Sequence, residues 1–362
     1  MTRNTIKFSE QAEKTLIPAW KDYVKHYRAE KFSVESHSHF DKSKSFEQKD
    51  KIICSAIDNE VSKLTNLDCS FVNKEAYATN PQYQWAYFAV INKLIDIVIP
   101  DIVKEDFMHV ANVTPIGYGD SAEFDIKSGD LFVVTKNGNS RRHIESQRQF
   151  TGTKTLVPEN HTITTDVDWY RVMSGKDSPA EYAMKVILSM ESELAIDVMS
   201  AIKNSFDTLT ANFKENAFSE SAFKKLASRV SRANGGARTV VLGTELGLGT
   251  ILPSNDSLKM GLGETYSKVG YLPIFKGVPL IAFKQRIDWD SADYDFALDD
   301  SYLYFISPQA QNLVQIVLEG NTLAISDPQN ANASLTQRTS LCKRWAVGLI
   351  TNAKHGIMKV TV

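Results

Sequence analysis

Hydrophobic and polar positions change period several times along the chain, and each change marks an element. Residues 1–60 mix lysines and carboxylates with scattered aromatics. That pattern predicts one or two amphipathic helices and a polar break from Ser33 to Ser45. The most apolar stretch, Trp85 to Val103, follows Asn80-Pro81, a capping residue ahead of proline at the first helical position. A helix is expected there, running to about Ile99 and stopping near Pro100. Asn92, Lys93 and Asp96 near its centre argue against a membrane span, so it reads as a long buried helix of a soluble protein.

Between residues 111 and 170 the period falls to two. Ala122, Phe124 and Ile126 alternate with polar neighbours, and Leu131 to Thr135 is a second strand. Lys136-Asn137-Gly138-Asn139 is a turn signal, and Thr151 to Trp169 reads as more strand. Charge is segregated along this region. Asp120, Glu123, Asp125 and Asp130 oppose only Lys127, whereas Lys136, Arg141, Arg142, Arg148 and Lys154 oppose only Glu145. A long, thinly cored β-excursion is expected, with an acidic and a basic section. Such a ribbon is marginal alone and needs a surface to pack against.

Helical period returns at Ser178-Pro179-Ala180-Glu181, which combines a cap, proline at the first position and a capping-box glutamate. Ala183, Ile187, Met190, Leu194, Val198 and Ala201 then form one stripe, widened by Tyr182, Val186 and Ile202, to about Phe206. At 1.5 Å per residue this helix is roughly 40 Å long, a spine for the fold. Glu191, Glu193 and Asp197 lie off the stripe, which by itself reads as a solvated face. Residues 236–330 form a separate α/β or α+β unit of short apolar strands: Thr239 to Leu242, Pro279 to Phe283, Tyr302 to Ile306 and Val314 to Leu318.

Composition narrows the function. A chain of 362 residues buries a sizeable core without staples, and a net charge of −2 argues against a dedicated nucleic-acid binder. Three dispersed cysteines (Cys54, Cys69, Cys342) suit a reducing compartment, and the amino terminus has no apolar export signal. The main electrostatic feature is an asymmetry. Lys284 to Asp327 carries a net −6, whereas Pro328 to Val362 has no acid and a net +5. Pairing within the chain, contact between copies, or a basic patch facing a polyanion would each account for it.

No motif makes a convincing active site. Gly243-Thr244-Glu245-Leu246-Gly247-Leu248-Gly249-Thr250, with Gly261-Leu262-Gly263 after it, lacks the Gly-Lys-Ser/Thr ending of a phosphate loop and the third glycine of a dinucleotide fingerprint. It reads as a flexible loop. There is no Gly-x-Ser-x-Gly elbow and no His-Glu-x-x-His pattern. Ser36-His37-Ser38-His39 has only Asp41 nearby as a further ligand and reads as a solvated loop. Asp299 and Asp300 are adjacent, so they point to opposite faces of a strand edge rather than sharing a substrate. Cys342, beside Lys343 and Arg344, opens an apolar strand. Neither catalysis nor a cofactor nor a metal is expected.

The order of these elements resembles the major capsid proteins of tailed bacteriophages with the Hong Kong 97-like fold. The resemblance covers about residues 80–362. It rests on the excursion, the spine helix and a run of phrases. These are Ala237-Arg238-Thr239-Val240-Val241-Leu242-Gly243-Thr244, Gly277-Val278-Pro279-Leu280-Ile281-Ala282-Phe283, Tyr302-Leu303-Tyr304-Phe305-Ile306-Ser307-Pro308, and Arg344-Trp345-Ala346-Val347-Gly348-Leu349-Ile350 leading to Met358-Lys359-Val360. The resemblance implies an α+β fold with an N-terminal arm (1–60), a peripheral domain (61–112 and 166–235, with the spine helix at 178–206), an extended β-hairpin loop (113–165), an axial domain (236–330) and closing strands (331–362).

By the same resemblance the chain is a structural protein of the virion. It would assemble in the host bacterial cytoplasm into pentamers and hexamers of an icosahedral shell around double-stranded DNA, which it touches weakly and without sequence preference. The extended loop would lie across a neighbour, with Arg141, Arg142, His143, Glu145 and Arg148 making the contact and Glu191, Glu193 and Asp197 of the spine helix as candidate partners. Portal and decoration proteins are further partners. The arm is too short for a cleaved scaffolding segment, so a separate scaffolding protein, or none, is expected. Some relatives crosslink a loop lysine to an asparagine. Lys136, Lys154 and Asn352 could be offered, but no acid lies near Asn352 in the sequence, so no crosslink is expected. An encapsulin-like compartment shares the fold. A cytoplasmic enzyme holding phosphate on Gly243–Gly263 is the reading from another class.

Overall fold

The computed structural model describes residues 8–32, 40–66, 75, 79–107, 110–127, 151–253, 263–264, 266–289, 291–309, 312–326, 335–351 and 353–361. In chain order they form α1 (Glu10–Phe32), α2 (Phe46–Thr65), α3 (Pro81–Phe107), β1 (Ala111–Ile116), β2 (Ala122–Lys127), β3 (Thr151–Leu156) and β4 (Glu159–Asp168). There follow α4 (Trp169–Met173), α5 (Pro179–Lys203), β5 (Lys214–Glu215), α6 (Glu220–Ala233), β6 (Val240–Thr244), α7 (Glu245–Gly249), β7 (Ile274–Phe275) and β8 (Val278–Phe283). The last are β9 (Tyr302–Ile306), β10 (Val314–Ser326), β11 (Thr336–Leu349) and β12 (Gly356–Lys359). Strands pair in the orders β1-β10-β11-β4, β5-β12-β9-β6-β8-β7 and β2-β3. The class is α+β, as expected, and among the described residues no helix is long and apolar enough to cross a membrane.

The chain divides into two compact units. The first comprises residues 1–105, 159–191 and 319–345. Aromatics of α1 explain why the amino-terminal segment is not a loose arm: Trp20 and Tyr23 are fully buried with Ile53 and Ile57 of α2 and Ile91, Leu94 and Ile95 of α3. Trp20 Nε1 donates to the Leu94 carbonyl at 3.1 Å. A capping box starts α2, with Ser45 Oγ accepting from Gln48 N while Gln48 Oε1 accepts from Ser45 N.

Helix α3 does not stop near Pro100 but continues to Phe107. Proline removes one amide from the helical ladder, but Ile102 and Val103 beyond it are buried and extend the apolar stripe. Within that stripe Asp96 accepts from Thr322 N at 2.9 Å, Thr322 Oγ1 at 2.7 Å and Lys343 Nζ at 3.0 Å. The same ammonium donates to the Gly320 carbonyl at 2.8 Å. Strand β11 runs antiparallel to β4, from Thr336 opposite Asp168 to Trp345 opposite Glu159. The return strand of the excursion therefore ends at Leu156, and 159–168 belongs to the four-stranded sheet.

The second unit comprises residues 106–158, 192–318 and 346–362. Phe223, Leu226 and Val230 of α6 pack with Val241, Leu280, Leu303, Phe305 and Met358 of the six-stranded sheet. Gly243–Thr250, the first part of the glycine-rich segment expected as a flexible loop, is instead a strand end and a short helix, while Gly261 and Leu262 lie outside the described residues. Thr244 ends β6 and caps α7, its hydroxyl accepting from Gly247 N at 3.2 Å. A Cβ on Gly247 would sit 2.5 Å from the Asp300 carbonyl oxygen, so glycine serves close packing there rather than a phosphate. Strand β10, expected as a short strand at 314–318, runs to Ser326 and pairs beside β1 and β11 rather than with β6, β8 and β9.

His355 is buried against Ser205. The Ser205 hydroxyl donates to the Ile202 carbonyl at 2.7 Å, so the imidazole Nε2–H donates to Ser205 Oγ at 2.9 Å. Burial pushes its pKa down to about 4. The unfolded chain then binds one more proton than the folded chain between about pH 4 and 6.5, so stability falls as pH drops through that window, by roughly 1.4 kcal/mol per unit from this group. Urea unfolding should show a loss of about 2 kcal/mol from this group between pH 7 and pH 5, and His355→Asn should remove it. Removing the Asp96 carboxylate (Asp96→Ala) leaves the Lys343 charge buried and should cost about 3–5 kcal/mol. The double variant Asp96→Ala/Lys343→Met should recover most of the loss in the same measurement.

Candidate assembly surfaces

The surfaces of interest stand on three elements: the β2–β3 stem, the spine helix α5, and the segment after β8. In the stem β2 and β3 are antiparallel, with Ala122 opposite Leu156 and Lys127 opposite Thr151. Alternation puts Ala122, Phe124 and Ile126 on one face and exposed Glu123 and Asp125 on the other. Ala122 and Leu156 are buried with Val317 and Ile350, and Gly348 lets Leu156 approach closely. Phe124 and Ile126, further along, are only half-buried. Both pack against the same cluster of the chain, which thus covers the stem's apolar face only in part. Arg141, Arg142, His143, Glu145 and Arg148, and the strand expected at Leu131 to Thr135, lie outside the described residues, as do Ser36-His37-Ser38-His39, Lys136 and Asn352.

The spine helix begins as expected, with Ser178 Oγ accepting from Glu181 N at 3.3 Å. Its three candidate acids differ in setting. Glu191 is 4% exposed and its Oε1 accepts from Arg28 Nη2 at 3.4 Å, so it is taken up within its own chain and is corrected from the partner set. The physical reason is α1, whose Arg28 lies opposite and brings its own charge. Glu193 is exposed and Asp197 half-buried.

Opposite charges are matched within the chain at several points. Arg344 bonds Glu319, which is 1% exposed in its side chain, at 3.1 Å, while Lys343 and Arg338 turn to Asp96 and Asp166. The basic carboxy-terminal segment therefore draws only part of its partners from the acidic segment before it. Asp299 and Asp300 face different groups, Lys203 at 2.6 Å and Gln285 at 2.8 Å, and do not form a pair. Burial pushes the Cys54 thiol up to about 11, which keeps it unreactive. Cys342 is buried and accepts from Thr162 Oγ1. Among the described residues no cluster of ligating side chains would hold a metal.

Sequence reasoning counted the acids after β8 and passed over the aromatics between them. Ile287 and Phe296 form a β-bridge, and Trp289 stacks edge-on against Tyr294 with centroids 6.0 Å apart. All four are exposed. The signal that would have found them is the alternation of Ile287, Trp289, Tyr294 and Phe296 with aspartates, a strand-turn-strand pattern with its apolar face in water.

The two spine glutamates give a direct check. Glu191→Ala should cost about 3 kcal/mol, since it removes a buried charge partner of the Arg28 guanidinium. Glu193→Ala should stay within about 0.5 kcal/mol of the parent in the same denaturant titration.

Comparison with known proteins bears on what these surfaces serve. No curated protein matches the chain. Among solved structures it is similar to the head of Helicobacter pylori bacteriophage KHP40, at 11% identity and TM-score 0.48 over 71% of this chain and 90% of that one. It is also similar to the capsid of a native GTA particle (11%, 0.47, 71% and 90%) and to a virus-like particle from Pyrococcus furiosus (12%, 0.43, 74% and 98%). The family model described as "SPbeta prophage-derived putative capsid protein YonB" matches residues 29–359. Because that match runs from within α1 to the end of β12 and takes in both units, the chain belongs to the YonB family of prophage-derived capsid proteins.

Proposed function

We propose that this capsid protein is the major shell subunit of a tailed-phage head, built on the Hong Kong 97-like plan and assembling into pentamers and hexamers around double-stranded DNA. The observation that carries this reading is the β2–β3 stem. It holds residues 128–150 between two paired strands, and its own chain covers only part of its apolar face. A neighbouring subunit is the natural cover, because a two-stranded ribbon is not stable on its own. Arg141, Arg142, His143, Glu145 and Arg148 would then meet acids of that neighbour, Glu193 foremost and Asp197 next to it. Assembly would take place in the bacterial cytoplasm, with a separate scaffolding protein or none, and with a portal as a partner. Lysines and arginines facing the interior would touch DNA without sequence preference and with strong salt dependence.

Light scattering and negative-stain microscopy of the purified full chain, alone and coexpressed with a scaffolding protein, test the reading. Closed shells or five- and six-membered rings are expected, with nuclease-protected DNA in particles made during infection. A monomer or dimer unchanged by concentration, salt and scaffold would overturn it.

A further inference from the structure

Two features of the second unit have no role yet. One is the segment from Gln285 to Leu298 that follows β8. Gln285 clamps its base, donating to the Leu298 carbonyl at 2.9 Å and accepting from Leu298 N at 3.0 Å. Asp288 N donates to the Asp295 carbonyl at 2.8 Å, and Tyr294 sits in the left-handed region at φ 55°. The result is a hairpin, described except for Asp290, that holds Trp289, 72% exposed, against Tyr294 and among Asp288, Asp293 and Asp295. Large aromatics held in water by an ordered hairpin mark a contact surface.

The other feature is a groove of about 360 Å³ along α6, lined by Lys224, Ser228, Arg232, Gly236, Arg238 and Gly277 among others. Residues 221–240 carry Lys224, Lys225, Arg229, Arg232 and Arg238 and no acid. Arg232 and Arg238 are exposed on its rim.

We propose that the 285–298 hairpin of one copy of the chain docks in the α6 groove of a second copy, Trp289 entering between Arg232 and Arg238 with the hairpin aspartates facing the groove's bases. The sheet shows why the second copy is needed. Strands β6 and β8 run parallel, Val241 opposite Leu280 and Thr244 opposite Phe283. Gly236, Arg238 and Gly277 lie just before the first residues of these strands, and the hairpin leaves just after the last residue of β8. Hairpin and groove therefore adjoin opposite ends of a strand pair about 17 Å long at 3.3 Å per residue, and no hairpin residue lines the groove of its own chain. Repeated head to tail, such a contact builds a ring or an open chain, and made reciprocally it closes a two-fold pair. Charge complementarity selects this occupant: an acidic aromatic tip meets a basic groove, where a guanidinium stacks on the indole face. The inference rests on the shell reading for the number of copies in a ring, but the contact is specified independently of it.

The test uses two full-length chains, Ala292→Cys at the hairpin tip and Ser228→Cys in the groove, mixed under oxidised glutathione, with the unsubstituted chain as control for the native cysteines. Docking predicts a disulfide-linked peptide joining positions 292 and 228 by mass spectrometry. Its yield should fall about tenfold with Arg232→Glu/Arg238→Glu in the groove chain and return when Asp293→Lys/Asp295→Lys is placed in the hairpin chain. Trp289→Ser, at an exposed site, should lower the yield without moving the melting temperature. Linkage without shells or rings, with the scaffolding protein present, keeps the docking and overturns the shell reading. Shells without linkage, with assembly indifferent to Trp289→Ser and to the charge reversals, overturn the docking and keep the shell. Neither linkage nor shells overturns both.

Discussion

The first unit depends on one buried carboxylate. Asp96 stands in the most apolar helix of the chain and is tolerated there because Thr322 donates to it through both amide and hydroxyl and Lys343 donates through its ammonium. A charge taken out of water is held only where hydrogen bonds replace its hydration, so these donors cannot drift from their places. That requirement ties helix α3 to β10 and β11. It also fixes the register of β11, since a slip of one residue would turn Lys343 to the other face of the sheet. The ten-residue ladder with β4 follows from that placement.

The second unit is organised by close approach. Gly247 lies under the Asp300 carbonyl, and Gly243 lies against Leu303 and Leu248, so the end of β6 and the start of β9 are held tightly together. Gln285, bonded to Asp300 as well as to Leu298, anchors the aromatic hairpin on that rigid edge. Surfaces held this way lose little freedom on association. Exposed ion pairs contribute only about 0–1 kcal/mol each, so a shell gains its stability from covered apolar area and from repetition of the same contact.

Local chemistry made much of this readable beforehand. The cap and stripe of α5, the bounds of β9 and the outgoing strand of the stem follow from short-range rules, and the structure has them close to where those rules put them. The misses share a cause. Proline at position 100 signals a helix end, but burial of Ile102 and Val103 outweighs one lost amide bond. The glycines of 243–249 signal a flexible loop, but they are where backbones and side chains touch. Glu191 and Glu193 look alike in the sequence, yet only Glu191 meets an arginine from another helix.

Amino-acid order alone determined the kinds of elements, their sequence, the segregation of charge and the absence of recognisable catalytic motifs, because caps, periods and turns act over a few residues. Tertiary structure decided which charges are buried and paired, which strands share a sheet, and that hairpin and groove stand at opposite ends of β6 and β8. Those outcomes depend on what packs opposite, and that partner is supplied by residues tens to hundreds of positions away.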